Sequence, residues 1–237
     1  MALLGAFVVA ALAFLPPIWS AAHRYEFVES VQFGIFAFAV PALLVVGRPW
    51  GHLGGDGGRG RLWRRLEALE TGRRRHPSLW RSAAFAALDV LLVILWRTPP
   101  WMDALVRHRW LAGLEAVSLA AAGVGLWLEL VACPPLSPRL ARPWRAVLAA
   151  TCMWATGILA YAVGFSHVSW YSAFHHAGGV IGVSTDQELA TGIVWFAASC
   201  AFVPVVFSDV VNWLKSEEDP DAELRKLVRA ARRSGRA

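Results

Sequence analysis

Six runs of roughly 18 to 25 mostly apolar residues, each long enough to cross the ~30 Å hydrocarbon layer as a helix, constrain this 237-residue chain more than any other feature. They occupy about residues 2–19, 27–46, 82–98, 110–132, 146–165 and 189–214. No alternating pattern of strand length suggests a barrel. Because lipid offers no partner for backbone N–H and C=O groups, runs of this kind fold as helices that satisfy their own backbone. The predicted fold class is all-α: a polytopic membrane helical bundle over residues 1–214, followed by a charged tail over 215–237 that is either a short helix or disordered. A hydrophobic content of 57% and 13 tryptophans agree with that class. The first run lacks a charged start and a clear small-residue cleavage site, so it reads as a retained helix rather than a signal peptide.

Charge sets the expected topology. Residues 47–81 carry nine arginines against Asp56, Glu67 and Glu70, whereas no lysine or arginine lies between residues 145 and 215. The positive-inside rule then predicts six transmembrane helices with both termini cytoplasmic, in a multi-pass protein of the cell's inner (plasma) membrane. The net charge of +6 is thereby explained by topology and contact with membrane lipid, and nucleic acid is not an expected partner. The GGDGGRG tract lacks the GK[ST] ending of a phosphate loop and reads as a linker. The following RLWRRLEALE is either an amphipathic helix on anionic lipid or a solvated charged loop. Cys133, Cys152 and Cys200 form no CxxC and imply neither a disulfide nor a cysteine metal site.

This topology gathers His23, His108, His167, His175 and His176 on the outer side, with only His52 and His76 inside. Residues 165–195 stand apart: three histidines, no lysine or arginine, a Gly178-Gly179 break and then Asp186-Gln187. Imidazole binds copper, zinc or haem iron, so His167, His175, His176 and His23 are candidate metal ligands, with Asp186 orienting one ring. The competing reading is that the histidines tolerate water and headgroups while Asp186 and Gln187 cap the sixth helix. Intramembrane carboxylates are costly and face bundle interiors. Glu29, Glu115 and Asp186 fall near outer helix ends, where they either converge with His23 and His175 or His176 on a water-accessible pocket or serve as hydrogen-bonded packing groups. Asp89 lies deeper, to be paired with an arginine or a serine across helices. GxSxG, HExxH, P-loop and CxxCH signatures are absent, which argues against an enzyme.

Several short motifs recur in a known order: FAVPALLVVGRPW, RTPPWMDALVRHRWLAGLEA leading into GVGLWLEL, STDQELATGIVW, and VNWLKSEE. In these the chain resembles the CtaG-type cytochrome c oxidase assembly factors, bacterial polytopic proteins associated with maturation of haem-copper oxidases. The resemblance covers nearly the whole chain. The family usually places HxxxH at the start of the second helix, where this chain has Val28 and Gln32. A second histidine pair flanks the fourth-helix glutamate, where it has Ala112 and Ala116 beside Glu115. The resemblance therefore implies a non-catalytic membrane accessory factor for a respiratory haem-copper oxidase, with oxidase subunits as partners. It either handles copper at the outer face through relocated ligands or keeps the scaffold without the metal. A non-metal structural or partner-binding subunit is the alternative. A proton or solute transporter using Glu29, Glu115, Asp89 and Asp186 is the third reading, without an inverted repeat to support it.

Overall fold

All of the apolar runs fold as helix in the computed structural model, which describes residues 2–48, 64–68, 70–72, 79–166, 168–174 and 181–217. The helices are α1 (Ala2–Ala13), α2 (Pro16–Ala22), α3 (Glu26–Val46), α4 (Leu79–Trp96), α5 (Pro99–Arg107), α6 (Trp110–Leu130), α7 (Arg142–Gly164) and α8 (Val183–Glu217). Among the described residues there is no strand, only an isolated bridge between Cys133 and Leu136.

Among the described residues five helices, α3, α4, α6, α7 and α8, are long and apolar enough to cross a membrane, or six if the bent pair α1 and α2 is one span. The run expected as one helix over 2–19 is that pair: α1 and α2 meet at 61°. Pro16 and Pro17 lack the N–H groups that would continue α1, and they suit the first positions of the new helix instead. The same logic turns part of an expected loop into α5, which opens on Pro99 and Pro100. α8 begins at Val183, ahead of the expected 189.

Proline also shapes α3. Pro41 cannot donate to the Ala37 carbonyl, and the helix widens just before it into a π turn over Ile35–Ala39. The Pro41 ring then lies against α6 at Gly123, where a Cβ would sit 2.5 Å from Pro41 Cγ. A side chain at Gly123 would force the two helices apart. Around this crossing Phe38, Trp127 and Phe202 form the aromatic centre of the core, with Trp127 stacked on Phe202 at 6.0 Å.

The start of α1 and the end of α8 share one end of the bundle. Leu3 abuts Gly47 just past α3, and Asp209 of α8 pairs with Arg145 at the start of α7 at 2.5 Å. At this terminal end Glu129 accepts from Ser82 at 2.8 Å and lies 3.6 Å from Arg139. Within the RLWRRLEALE stretch residues 64–68 and Glu70 are helical, and buried Glu70 accepts from the hydroxyl and N–H of Ser137, which anchors that position to the 131–141 loop. Large apolar side chains such as Phe7, Trp80, Trp154 and Phe207 point outward, the surface a lipid solvent favours.

Candidate functional site

The opposite end collects most of the buried charge. Positions 26, 29, 30 and 33 share one face of α3, as helical spacing requires, and present Glu26, Glu29, Ser30 and Phe33 to the interior. Arg97, the residue just past the end of α4, meets all but the first. Its Nη1 lies 2.8 Å from Glu29 Oε2 and donates to Ser30 Oγ at 3.0 Å, while the guanidinium sits 4.1 Å over the Phe33 ring. Both ionic partners are buried, at 5% and 2% side-chain exposure, so the pair sits in a medium where Coulomb attraction is strong and desolvation is costly. Glu115 of α6 lies within electrostatic reach of Glu29 and Arg97, and its Oε1 has no hydrogen-bond partner.

Three carboxyl groups thus surround one guanidinium. Burial pulls Arg97 down, but Glu29, Tyr171, Glu115 and Glu26 together outweigh it, and its guanidinium is held above the usual arginine range. The Tyr171 hydroxyl donates to the Arg97 carbonyl at 2.9 Å and closes the cluster from the 168–174 segment. Burial pushes that phenol well above the usual tyrosine range.

Asp186 works away from its own helix. Its two carboxylate oxygens accept from the backbone N–H groups of Glu26 and Phe27, each at 2.9 Å. It therefore caps α3 from across the bundle rather than the helix that carries it. Gln187 is a clamp: its Oε1 accepts from Trp170 N at 2.9 Å, and its Nε2 donates to the Val163 carbonyl at 2.8 Å. Asp103 of α5 completes the fastening by accepting from Ser172 Oγ at 2.7 Å and Ala173 N at 2.9 Å.

The other expected residues lie elsewhere. Asp89 is buried on α4 beside Cys152 of α7, outside the cluster. His23 closes α2, where its Nδ1 donates to the Trp19 carbonyl at 2.8 Å and its ring lies 5.1 Å from the Trp19 ring. A carbonyl can only accept, so Nδ1 carries a proton; Nε2 is buried without a partner. His167, His175 and His176 lie outside the described residues. Among the described residues, no group of three or more histidine, cysteine, aspartate or glutamate side chains could hold a metal ion.

The sequence offered convergence of Glu29, Glu115 and Asp186 with outer histidines as one of two readings, and it did not single out Arg97, Glu26, Tyr171 or Asp103. The available signal was Arg97 itself, an arginine closing an apolar run on the face where the positive-inside rule expects few. The model of the cytochrome c oxidase caa3 assembly factor family (Caa3_CtaG) matches residues 1–216. No curated protein and no solved structure matches.

Proposed function

The chain belongs to the cytochrome c oxidase caa3 assembly factor family, and on that premise we propose that it is a non-catalytic membrane accessory factor that holds oxidase subunits during maturation. The match over residues 1–216, which takes in every membrane-crossing helix, carries this reading. The fastened end of the bundle supports it. Arg97, Asp103, Asp186 and Gln187 spend their hydrogen bonds on the chain's own helix ends and on the 168–174 segment. That use of polar groups gives a rigid face suited to docking rather than to turnover. The partner proposed is an oxidase subunit in the same membrane.

Copper fits the described residues poorly. The positions where the family's histidine pairs are expected hold Val28, Gln32, Ala112 and Ala116. Asp186 accepts from two amides, and among the described residues no three histidine, cysteine, aspartate or glutamate side chains come together to hold a metal ion. A copper reading would need His167, His175 or His176 to join His23.

Affinity purification of the tagged chain from its native membrane, followed by identification of bound subunits, tests the assembly role. Oxidase subunits should co-purify, and deletion of the chain should lower mature oxidase without lowering its synthesis. Normal oxidase levels after deletion would remove the proposal. The purified chain should also retain no stoichiometric copper after Cu(I) loading; retention that disappears in His23→Ala would instead establish the copper reading.

The proposed orientation places the arginine-rich 47–81 segment in the cytoplasm and the Arg97 end outside, in a bacterial inner membrane. A cysteine at Ser172 should then react with an impermeant thiol reagent added outside, and one at Gly57 should react only after the membrane is opened. The reverse labelling pattern would invert the topology.

A further inference from the structure

A lipid-facing groove of about 450 Å³ runs between α7 and α8, walled by Tyr161, Gly164, Phe165, Glu188, Gly192 and Trp195. Beside it lies a much smaller cavity of about 10 Å³, bounded by Glu26, Arg97 and Tyr171. That is room for about one water molecule. Ala160 and Thr191 line both spaces, so two short side chains separate the groove from the buried cluster.

The cavity is polar on its inner side and incompletely satisfied. Arg97 lines it while its Nε and Nη2 donors have no partner. Donors left open beside a water-sized space are matched by a water molecule, whose oxygen accepts from them. Glu26 is the acid that lines this space, and its backbone N–H is held by Asp186. Arg97 at the end of α4, Glu29 on α3 and Asp186 on α8 act on its charge. Tyr171 borders the same cavity, while α7 contributes only Leu159, Ala160 and Val163. Glu115 of α6 lies within electrostatic reach of Glu29 and Arg97 in the same cluster. Arg97 can offset one carboxylate, and Asp186 is already held by two amides. A proton on Glu26 therefore alters the net charge of the cluster without breaking any of its bonds.

We propose that Glu26 is a proton-exchange site, reached from the membrane-facing groove through one water held in this cavity behind Ala160 and Thr191. The Thr191 hydroxyl donates to the Glu188 carbonyl at 3.0 Å, so its oxygen remains free to accept from that water. The charge of the Arg97 cluster is then set from the membrane side of α7 and α8. This does not depend on the oxidase role.

Infrared spectroscopy of the full chain in phosphatidylcholine vesicles tests it, with the carboxylic acid C=O band followed after transfer to D2O. A band that shifts on deuteration should be present in the wild type, missing from Glu26→Gln, and moved but retained in Glu26→Asp. Ala160→Val, which narrows the wall, should slow its deuteration about tenfold, an added barrier equal to one decade in rate. Thr191→Val, which keeps the shape and removes the hydroxyl, should also slow it. Thermal midpoints of all variants identify any that fail to fold, and the Thr191 variant serves if the Ala160 variant does. Loss of no band in folded Glu26→Gln would overturn the proposal. So would a deuteration rate unchanged in the folded wall variants, or a band removed by sodium or potassium at constant pH, which would mark a cation site.

Discussion

Replacing Arg97 by methionine is expected to destabilise the bundle by ~3–5 kcal/mol, the usual result of removing one partner from a buried ion pair. Methionine fills a similar volume, so the loss is electrostatic rather than a cavity. Glu29 loses its partner at 2.8 Å, Ser30 loses a donor at 3.0 Å, and Phe33 loses the cation over its ring. Glu29 and Glu115 are then left facing each other with no positive charge between them. Arg97→Lys keeps the charge but not the planar fork or the stack on Phe33, and its effect should be intermediate. The double variant Arg97→Met with Glu29→Gln should recover much of the loss, since it removes the stranded charge along with its partner. Thermal midpoints in detergent and the yield of folded protein from membranes measure all three. A single Arg97→Met variant within ~0.5 kcal/mol of wild type, the range of an ordinary surface change, would show that the pair is not the keystone of this end.

How much of this was legible in the residues depended on which physical signal each feature leaves. Length and hydropathy located the crossing helices because a hydrocarbon layer imposes both, and five of the spans stand near their expected limits. The break between α1 and α2 was marked by Pro16-Pro17, but composition could not show that the chain bends there rather than merely ending a helix. The cost of a carboxylate in lipid pointed Glu29 and Glu115 to the bundle interior, with convergence as one of two readings. The identity of their partner did not follow, because Arg97 looked like one more loop arginine when only the sequence was read. Asp186 shows the limit most clearly: a local rule assigns an acid in the first turn of a helix to that helix. Its actual partners are amides 159 and 160 residues away. Periodicity gives the face of a helix, not which neighbouring helix end that face will meet.

Asp186→Ala should therefore act on α3 and not on α8, the helix that carries it. Two hydrogen bonds to an ionised carboxylate at a helix N-terminus are lost, and the freed N–H groups of Glu26 and Phe27 are left with few partners at a buried helix start. The expected destabilisation is ~1.5–3 kcal/mol, the range for hydrogen bonds to charged groups. Asp186→Asn keeps one acceptor oxygen and should lose about half as much. Amide hydrogen exchange resolves where the loss falls. Glu26 and Phe27 should exchange faster by one to two decades, as ~1.4 kcal/mol per decade requires. Amides of α6 near Glu129, at the far end of the bundle, should keep their wild-type rates. Because Glu26 also borders the water-sized cavity beside Arg97, loosening the first turn of α3 should disturb the buried cluster while leaving the Arg145–Asp209 pair intact. Faster exchange confined to the first turn of α8, with Glu26 and Phe27 unchanged, would show that Asp186 caps its own helix after all.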